Sequence, residues 1–169
     1  MTDSRQSGSF IYPWLSDHWA FFLQRVESDR LAHAILIEGP AGVGKTVLAA
    51  AMVARLLCRE NQARACGRCR SCTLLAAGSH PDYFDLQPDE GKEVIKVDQV
   101  RGLIGKLDLT TSISECKVAF IHPAESMNSS AANALLKSLE EPAGNTVLIL
   151  VSDNPARLPV TIRSRCQSI

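Results

Sequence analysis

The chain has 169 residues, of which 46% are hydrophobic, and its 18 basic and 18 acidic residues cancel to a formal charge of +0. This length fits one domain, or one domain with part of another, and the apolar content is enough for an ordinary packed core. The neutral balance excludes any argument from whole-chain charge for binding to nucleic acid or to a membrane surface.

The first eight residues are polar, and no apolar core of a secretory signal follows them. The longest apolar stretches, residues 47–53 and 147–151, are far shorter than the ~20 residues of a membrane-spanning helix. We therefore expect a cytoplasmic protein with no membrane partner.

Short apolar segments alternate with helical stretches along the chain, which is typical of a parallel α/β sheet. Asn128 is a fair N-cap for one of the helices, and Pro142 should stop it. We predict helices over residues 47–57, 97–107, 128–139 and 159–164, and strands over residues 34–37, 83–86, 118–121, 146–151 and 166–169. The chain stops abruptly after the fifth strand, so we expect a fragment of a longer protein.

The most informative motif follows the first strand and opens the first predicted helix. It reads Gly39-Pro40-Ala41-Gly42-Val43-Gly44-Lys45-Thr46, an unbroken G-x-x-x-x-G-K-[ST] phosphate loop, or P-loop. Backbone N–H groups of such a loop point at phosphate oxygens, and the positive end of the following helix adds to their field. Lys45 should reach the β and γ phosphates of ATP, and the Thr46 hydroxyl should ligate Mg²⁺. The alternative is a glycine-rich turn that binds nothing.

The acidic pair that normally works with this loop is missing. The third predicted strand ends in His122-Pro123, whereas a hydrolase needs an Asp for magnesium and a base to orient water. Histidine is a poor ligand for a hard cation, and proline is none. Glu125 and Asp153 are the nearest acids in sequence, and we expect Glu125 to point elsewhere. The chain is therefore predicted to bind ATP at most, without hydrolysing it efficiently.

Four of the six cysteines lie close together, at Cys58, Cys66, Cys69 and Cys72 (the cysteine cluster). Four thiolates suit tetrahedral zinc, and the absence of a His ligand or an open position favours a structural site. An Fe–S cluster is a less favoured alternative, and free buried cysteines are another.

Arginines accompany this cluster and also end the chain. Around the cluster they either balance the negative charge of a zinc tetrathiolate, which we favour, or form a basic surface for nucleic acid; they are Arg55, Arg59, Arg64, Arg68 and Arg70. Near the end of the chain, Arg165 is either solvated or reaches into a neighbour's nucleotide site, where its planar fork would stabilise the transferred phosphate.

Together with the P-loop and the cysteine cluster, four further motifs define a family resemblance. They are Tyr12-Pro13-Trp14-Leu15, Gly78-Ser79-His80-Pro81-Asp82-Tyr83, Ala131-Ala132-Asn133-Ala134-Leu135-Leu136-Lys137-Ser138-Leu139-Glu140-Glu141-Pro142, and Ser164-Arg165-Cys166. Over essentially its whole length the chain resembles the δ′ subunits of bacterial DNA polymerase III clamp loaders, a branch of the AAA+ family. The last two motifs are shared with the γ/τ subunits, and His122-Pro123 separates the chain from them.

The resemblance implies a three-layer AAA+ P-loop domain over residues 1–169, with a parallel five-stranded sheet and a zinc-binding insertion at 58–72. Lid and collar domains would follow. It implies structural zinc on the cysteine cluster, and an arginine finger at Arg165 that acts on ATP held by an adjacent γ/τ subunit. It further implies γ/τ and δ subunits as partners, with the sliding clamp and primed DNA contacted through the assembled polymerase complex. Residues 152–154 correspond to the family's phosphate-sensing segment.

Two other functions stay open at this point. One is an ATP-hydrolysing motor similar to γ/τ, against which His122-Pro123 counts. The other is a zinc module that binds nucleic acid directly, against which the neutral net charge counts.

Overall fold

The structure is a computed structural model that describes residues 11–60 and 62–169. The polar first eight residues, from which we expect no secretory signal, lie outside the described residues. Among the helices of the described part, none is long and apolar enough to cross a membrane.

Helices and strands alternate along most of the described chain. The helices are α1 (Ser16–Glu27), α2 (Lys45–Leu57), α3 (Arg70–Ala76), α4 (Val97–Leu107), α5 (Ser129–Glu140) and α6 (Val160–Arg163). The strands are β1 (Ala34–Glu38), β2 (Tyr83–Leu86), β3 (Lys117–Ile121), β4 (Thr146–Ser152) and β5 (Gln167–Ser168). All five predicted strands and all four predicted helices are therefore present, with ends shifted by a residue or two.

The five strands form one parallel sheet in the order β2-β3-β4-β1-β5. The predicted parallel five-stranded sheet is confirmed. Because β1 lies beside β4, and β4 beside β3, the loops that follow these three strands meet at the same edge of the sheet. Those loops contain the P-loop, residues 153–154 and His122-Pro123.

Side chains alternate between two faces of the sheet, and each face is buried under helices. In β1, Ile35 and Ile37 pack on the side that carries α1 and α2. Ala34 and Leu36 pack on the opposite side, which carries α4 and α5. The domain therefore has three layers, with the sheet in the middle.

Helix boundaries follow ordinary capping chemistry. The Asn128 side chain accepts a hydrogen bond from the backbone N–H of Ala131 at 2.8 Å, as expected of the N-cap of α5. The helix ends at Glu140, two residues before Pro142.

Two helices are absent from the sequence-based prediction. Helix α1 buries Trp19 and Phe22 against the face of the sheet that also carries α2. Helix α3 begins at Arg70, inside the cysteine cluster, and the Cys69 sulfur accepts a hydrogen bond from the Cys72 N–H at 3.5 Å as its N-cap. Both helices position parts of the site described next.

Candidate functional site

The P-loop leads directly into α2, and its backbone requires glycine at position 44. Gly44 has φ +94°, and a Cβ placed there would lie 2.6 Å from a ring carbon of Tyr12. Any side chain at this position would be both strained and in collision with that ring. Gly44 is the N-cap residue of α2, so glycine at this position allows the helix to begin at Lys45.

An aromatic pair before α1 packs against this loop. The rings of Tyr12 and Trp14 are stacked, with centroids 4.7 Å apart and an interplanar angle of 10°. The Trp14 indole Nε1 donates a hydrogen bond to the carbonyl oxygen of Val43 at 2.9 Å. The Tyr12-Pro13-Trp14-Leu15 motif thus packs against the P-loop, a contact that the sequence alone did not reveal.

Lys45, the residue expected to meet phosphates, is buried and fully engaged within the chain. Its ammonium donates to the carbonyl oxygens of Gly39 at 2.8 Å and Pro40 at 2.6 Å. It also lies 2.6 Å from Oδ1 of Asp153, and the lysine side chain is only 5% exposed. A carboxylate therefore contacts the ammonium that phosphate oxygens contact in a loaded P-loop.

The loop that carries Asp153 is held by Glu125. One carboxylate oxygen of Glu125 accepts hydrogen bonds from the backbone N–H groups of Asp153 at 3.0 Å and Asn154 at 3.1 Å. The Ser152 hydroxyl also accepts from the Asn154 N–H, at 3.2 Å. Glu125 thus lies against the turn after β4 and fixes the backbone of the residue that pairs with Lys45.

His122, which stands where an acid is usual, is engaged with β2 and β3. Its Nε2 is 2.9 Å from Oδ1 of Asp85, and its ring stacks on Phe120 with centroids 4.2 Å apart. Thr46, the predicted magnesium ligand, is exposed at the start of α2. The described end of β3 therefore offers an imidazole and a proline in place of carboxylates.

The cysteine cluster is assembled as its spacing predicts. Cys58 follows α2, Cys66 and Cys69 come from the intervening loop, and Cys72 lies in the first turn of α3. All four sulfur atoms lie within 4.8 Å of one another. A tetrahedron with metal–sulfur bonds of ~2.3 Å has edges of about 3.8 Å, so the thiol set fits a single metal ion.

The surroundings of these thiols favour partial ionisation even without a metal. Backbone N–H groups of Arg68 and Cys69 lower the pKa of Cys66. Burial opposes ionisation of Cys69, but the N–H groups of Cys72 and Arg59 outweigh it and lower its pKa to about 6.

The other two thiols are disfavoured as thiolates. Burial raises the pKa of Cys58, and it raises the pKa of Cys72 to about 12. The positive charge of a bound metal ion would favour the thiolate form of all four cysteines.

A buried polar network joins this cluster to the domain core. His80 Nε2 lies 2.7 Å from the Ser71 hydroxyl, which donates to the carbonyl oxygen of Leu57 at the end of α2. His80 Nδ1 accepts a hydrogen bond from the Asp82 N–H at 3.1 Å, so the ring is neutral with its proton on Nε2. Burial lowers the pKa of His80, although the charge of Asp82 opposes this.

Asp82 completes the network from the other side. Its carboxylate accepts hydrogen bonds from three consecutive N–H groups, those of Ser112, Ile113 and Ser114, at 2.7–2.8 Å. Burial opposes its ionisation, but these donors outweigh burial and lower its pKa. The Gly78–Tyr83 motif therefore fastens the insertion to α2 and to the loop before β3.

Arg165, the predicted arginine finger, lies between α5 and α6. Its Nε donates to Oε1 of Glu140 at 2.7 Å, and its Nη1 donates to the carbonyl oxygen of Thr161 at 3.0 Å. The side chain remains 35% exposed. Its polar contacts are thus with the closing helices of the domain and not with the P-loop.

The family of this chain follows from its similarity to known proteins. Residues 15–169 match the family model described as "DNA polymerase III, delta subunit". DNA polymerase III subunit delta′ of Pseudomonas aeruginosa is 54% identical over 157 residues, which cover 92% of this chain and 47% of that protein. Its counterpart in Escherichia coli is 40% identical over the same shares of the two chains. The chain thus spans about half the length of these relatives.

Solved structures agree on the fold. A DNA polymerase III gamma subunit-related protein of Thermotoga maritima superposes with a TM-score of 0.62 at 22% sequence identity. The match covers 89% of this chain and 44% of that one. This likeness supports the three-layer α/β fold with its parallel sheet.

Proposed function

Because the chain belongs to the DNA polymerase III δ′ family, we propose that it forms the nucleotide-binding domain of a cytoplasmic clamp-loader subunit. In this role, a hetero-oligomer with γ/τ and δ subunits loads the sliding clamp onto primed DNA for the replicative polymerase. Lid and collar domains complete the subunit. The observation that carries the proposal is the match to the δ′ family over residues 15–169.

The P-loop of this chain is proposed to be at most a binding site for ATP with magnesium. This proposal is supported by the glycines, Lys45 and Thr46 of residues 39–46, and by the exposure of Thr46 to a magnesium ion. His122 and Pro123 supply no carboxylate for the metal or for an attacking water. The site therefore lacks the groups that hydrolysis requires.

Catalysis by this chain is proposed to occur in a neighbour's site, through Arg165. The guanidinium is partly exposed and contacts Oε1 of Glu140 through Nε and Nη2, and a phosphate oxygen can replace that carboxylate oxygen. An arginine supplied in trans to a transferred phosphate accelerates hydrolysis by roughly 10³–10⁵ in other NTPases.

The cysteine cluster is proposed to hold structural zinc. Cys58, Cys66, Cys69 and Cys72 provide the four soft ligands that zinc prefers, and no open coordination position is left for a substrate. The ion would supply charge that ionises the two buried thiols, and the cysteines would hold the loop and α3 together.

The trans role is tested by replacing Arg165 with alanine in a reconstituted loader. We expect the Arg165→Ala subunit to fold and assemble but to lower the ATPase rate of the complex, because one ATP site loses its finger. Arg101→Ala is a matched control, since Arg101 is 70% exposed on α4. A wild-type rate with Arg165→Ala would overturn the trans role.

An ATP-hydrolysing motor similar to γ/τ is the second candidate, and the unbroken P-loop is the observation that favours it. It predicts steady ATP turnover by the isolated protein, abolished by Lys45→Ala. Turnover no higher than background would remove this candidate.

A further inference from the structure

The P-loop lysine of this chain has a resident negative partner. Asp153 Oδ1 lies 2.6 Å from Nζ of Lys45, while the other two acceptors, the carbonyls of Gly39 and Pro40, are neutral. The lysine is 5% exposed and the aspartate 51% exposed. The carboxylate is thus much more exposed to solvent than the ammonium that it contacts.

The position of Asp153 is built into the fold. It follows β4, whose last five residues pair with all of β1, and the P-loop follows β1. Its backbone N–H and that of Asn154 are both bound by Glu125. The turn is therefore held from the side of β3, and the carboxylate is directed by a fixed backbone.

We propose that Asp153 is a specificity-determining residue that makes this pocket select a nucleoside diphosphate over a triphosphate. Lys45 of a loaded P-loop contacts the β and γ phosphates. A triphosphate would have to displace the Asp153 carboxylate from Lys45 and remain beside it, and such like-charge contacts are costly. A diphosphate can use the loop N–H groups and replace one neutral backbone carbonyl on Lys45 while Asp153 keeps its ion pair.

This selection suits a subunit that does not hydrolyse ATP itself. The end of β3 has no acidic pair, so the site lacks the carboxylates needed to hydrolyse a γ phosphate. The inference rests on the binding role proposed for the P-loop, and not on the trans role of Arg165, which the ATPase of the assembled loader tests separately.

The test is a calorimetric titration of the purified protein with ADP and with ATP, both in the presence of Mg²⁺. Wild-type protein is expected to bind ADP about tenfold or more tightly than ATP. Asp153→Asn keeps the side-chain shape and removes the charge. It should strengthen ATP binding by about tenfold and change ADP binding by less than about threefold.

Three further variants make the result specific. Asp98→Asn removes the same charge from a residue that is 87% exposed on α4, and should leave both affinities unchanged. Glu125→Ala frees the turn, and should move the ATP-to-ADP ratio in the same direction as Asp153→Asn but less far. Lys45→Ala should abolish the binding of both nucleotides, which would show that they occupy the P-loop.

Several outcomes would overturn the proposal. They are wild-type protein that binds ATP as tightly as ADP, an Asp153→Asn variant with an unchanged ratio, and an Asp153→Asn variant that binds neither nucleotide while its circular dichroism is native. In any of these cases, the proposed clamp-loader function would still hold if Arg165→Ala lowers the ATPase rate of the assembled loader.

Discussion

His80 and Asp82 show how single buried residues hold the insertion to the rest of the domain. Both side chains are almost fully buried, at 5% and 1% exposure. The imidazole bonds to Ser71 of α3, and the carboxylate bonds to residues 112–114. Because unpaired polar groups are costly in such a place, the network fixes the geometry of both segments.

We predict that His80 makes the free energy of unfolding depend on pH. Burial lowers its pKa in the folded state, whereas the unfolded chain titrates near 6.5. The unfolded state then takes up the proton first, so the free energy of unfolding falls as the pH drops below about 6.5. Urea denaturation between pH 7.5 and 5.5 measures this loss.

Two variants isolate the histidine from other titrating groups. His80→Asn keeps an acceptor for the Asp82 N–H and cannot be protonated, so it should show a shallower pH dependence than wild type. His18→Gln alters an exposed histidine of α1 and should retain the wild-type dependence. Equal slopes for wild type and His80→Asn would contradict the assignment.

Among the elements, those with continuous apolar sequences were predictable and those that depend on distant contacts were not. Strand β3 is buried along its whole length and could be read from its sequence. Helix α1 carries Trp19 and Phe22 at helical spacing, which is the signal that could have revealed it. Helix α3 has seven residues and begins among cysteines, so its length gave no comparable pattern.

We predict that the cysteine cluster binds zinc in the purified protein. Purified protein should contain about one zinc per chain by elemental analysis under non-chelating conditions. Cys72→Ser removes the ligand in the first turn of α3, so it should abolish zinc retention and reduce the helical circular dichroism signal.

Cys166→Ser provides the matched control for that experiment. Cys166 lies outside the cluster and is partly buried, and this burial raises the pKa of its thiol to about 11. This variant should keep one zinc per chain. Wild-type protein without zinc, or Cys72→Ser with a full zinc content, would exclude the metal site.

For the whole molecule, the strand order is what brings the P-loop and the turn after β4 together. Lys45 and Asp153 are far apart in sequence and meet because β1 and β4 are adjacent. The motif at residues 39–46 was recognisable from local sequence because its chemistry is contiguous. The pairing of Lys45 with Asp153 was not, since it depends on the order β2-β3-β4-β1-β5, which local patterns do not specify.

The P-loop and Arg165 differ in their surroundings, and this difference underlies the functions proposed for them. In its own P-loop, Lys45 is paired with Asp153, and the end of β3 lacks acids. Arg165 follows α6, and its side chain is 35% exposed. These two features are the basis of our proposal that the chain acts on a neighbour's nucleotide and not on its own.

The most direct test compares Lys45→Ala with Arg165→Ala in the same reconstituted loader, with ATP hydrolysis measured in the presence of clamp and primed DNA. Arg165→Ala should lower the rate severalfold or more because the neighbouring site loses its finger, while Lys45→Ala should leave the rate within about twofold of wild type. The reverse pattern, a rate lost with Lys45→Ala and kept with Arg165→Ala, would contradict the account.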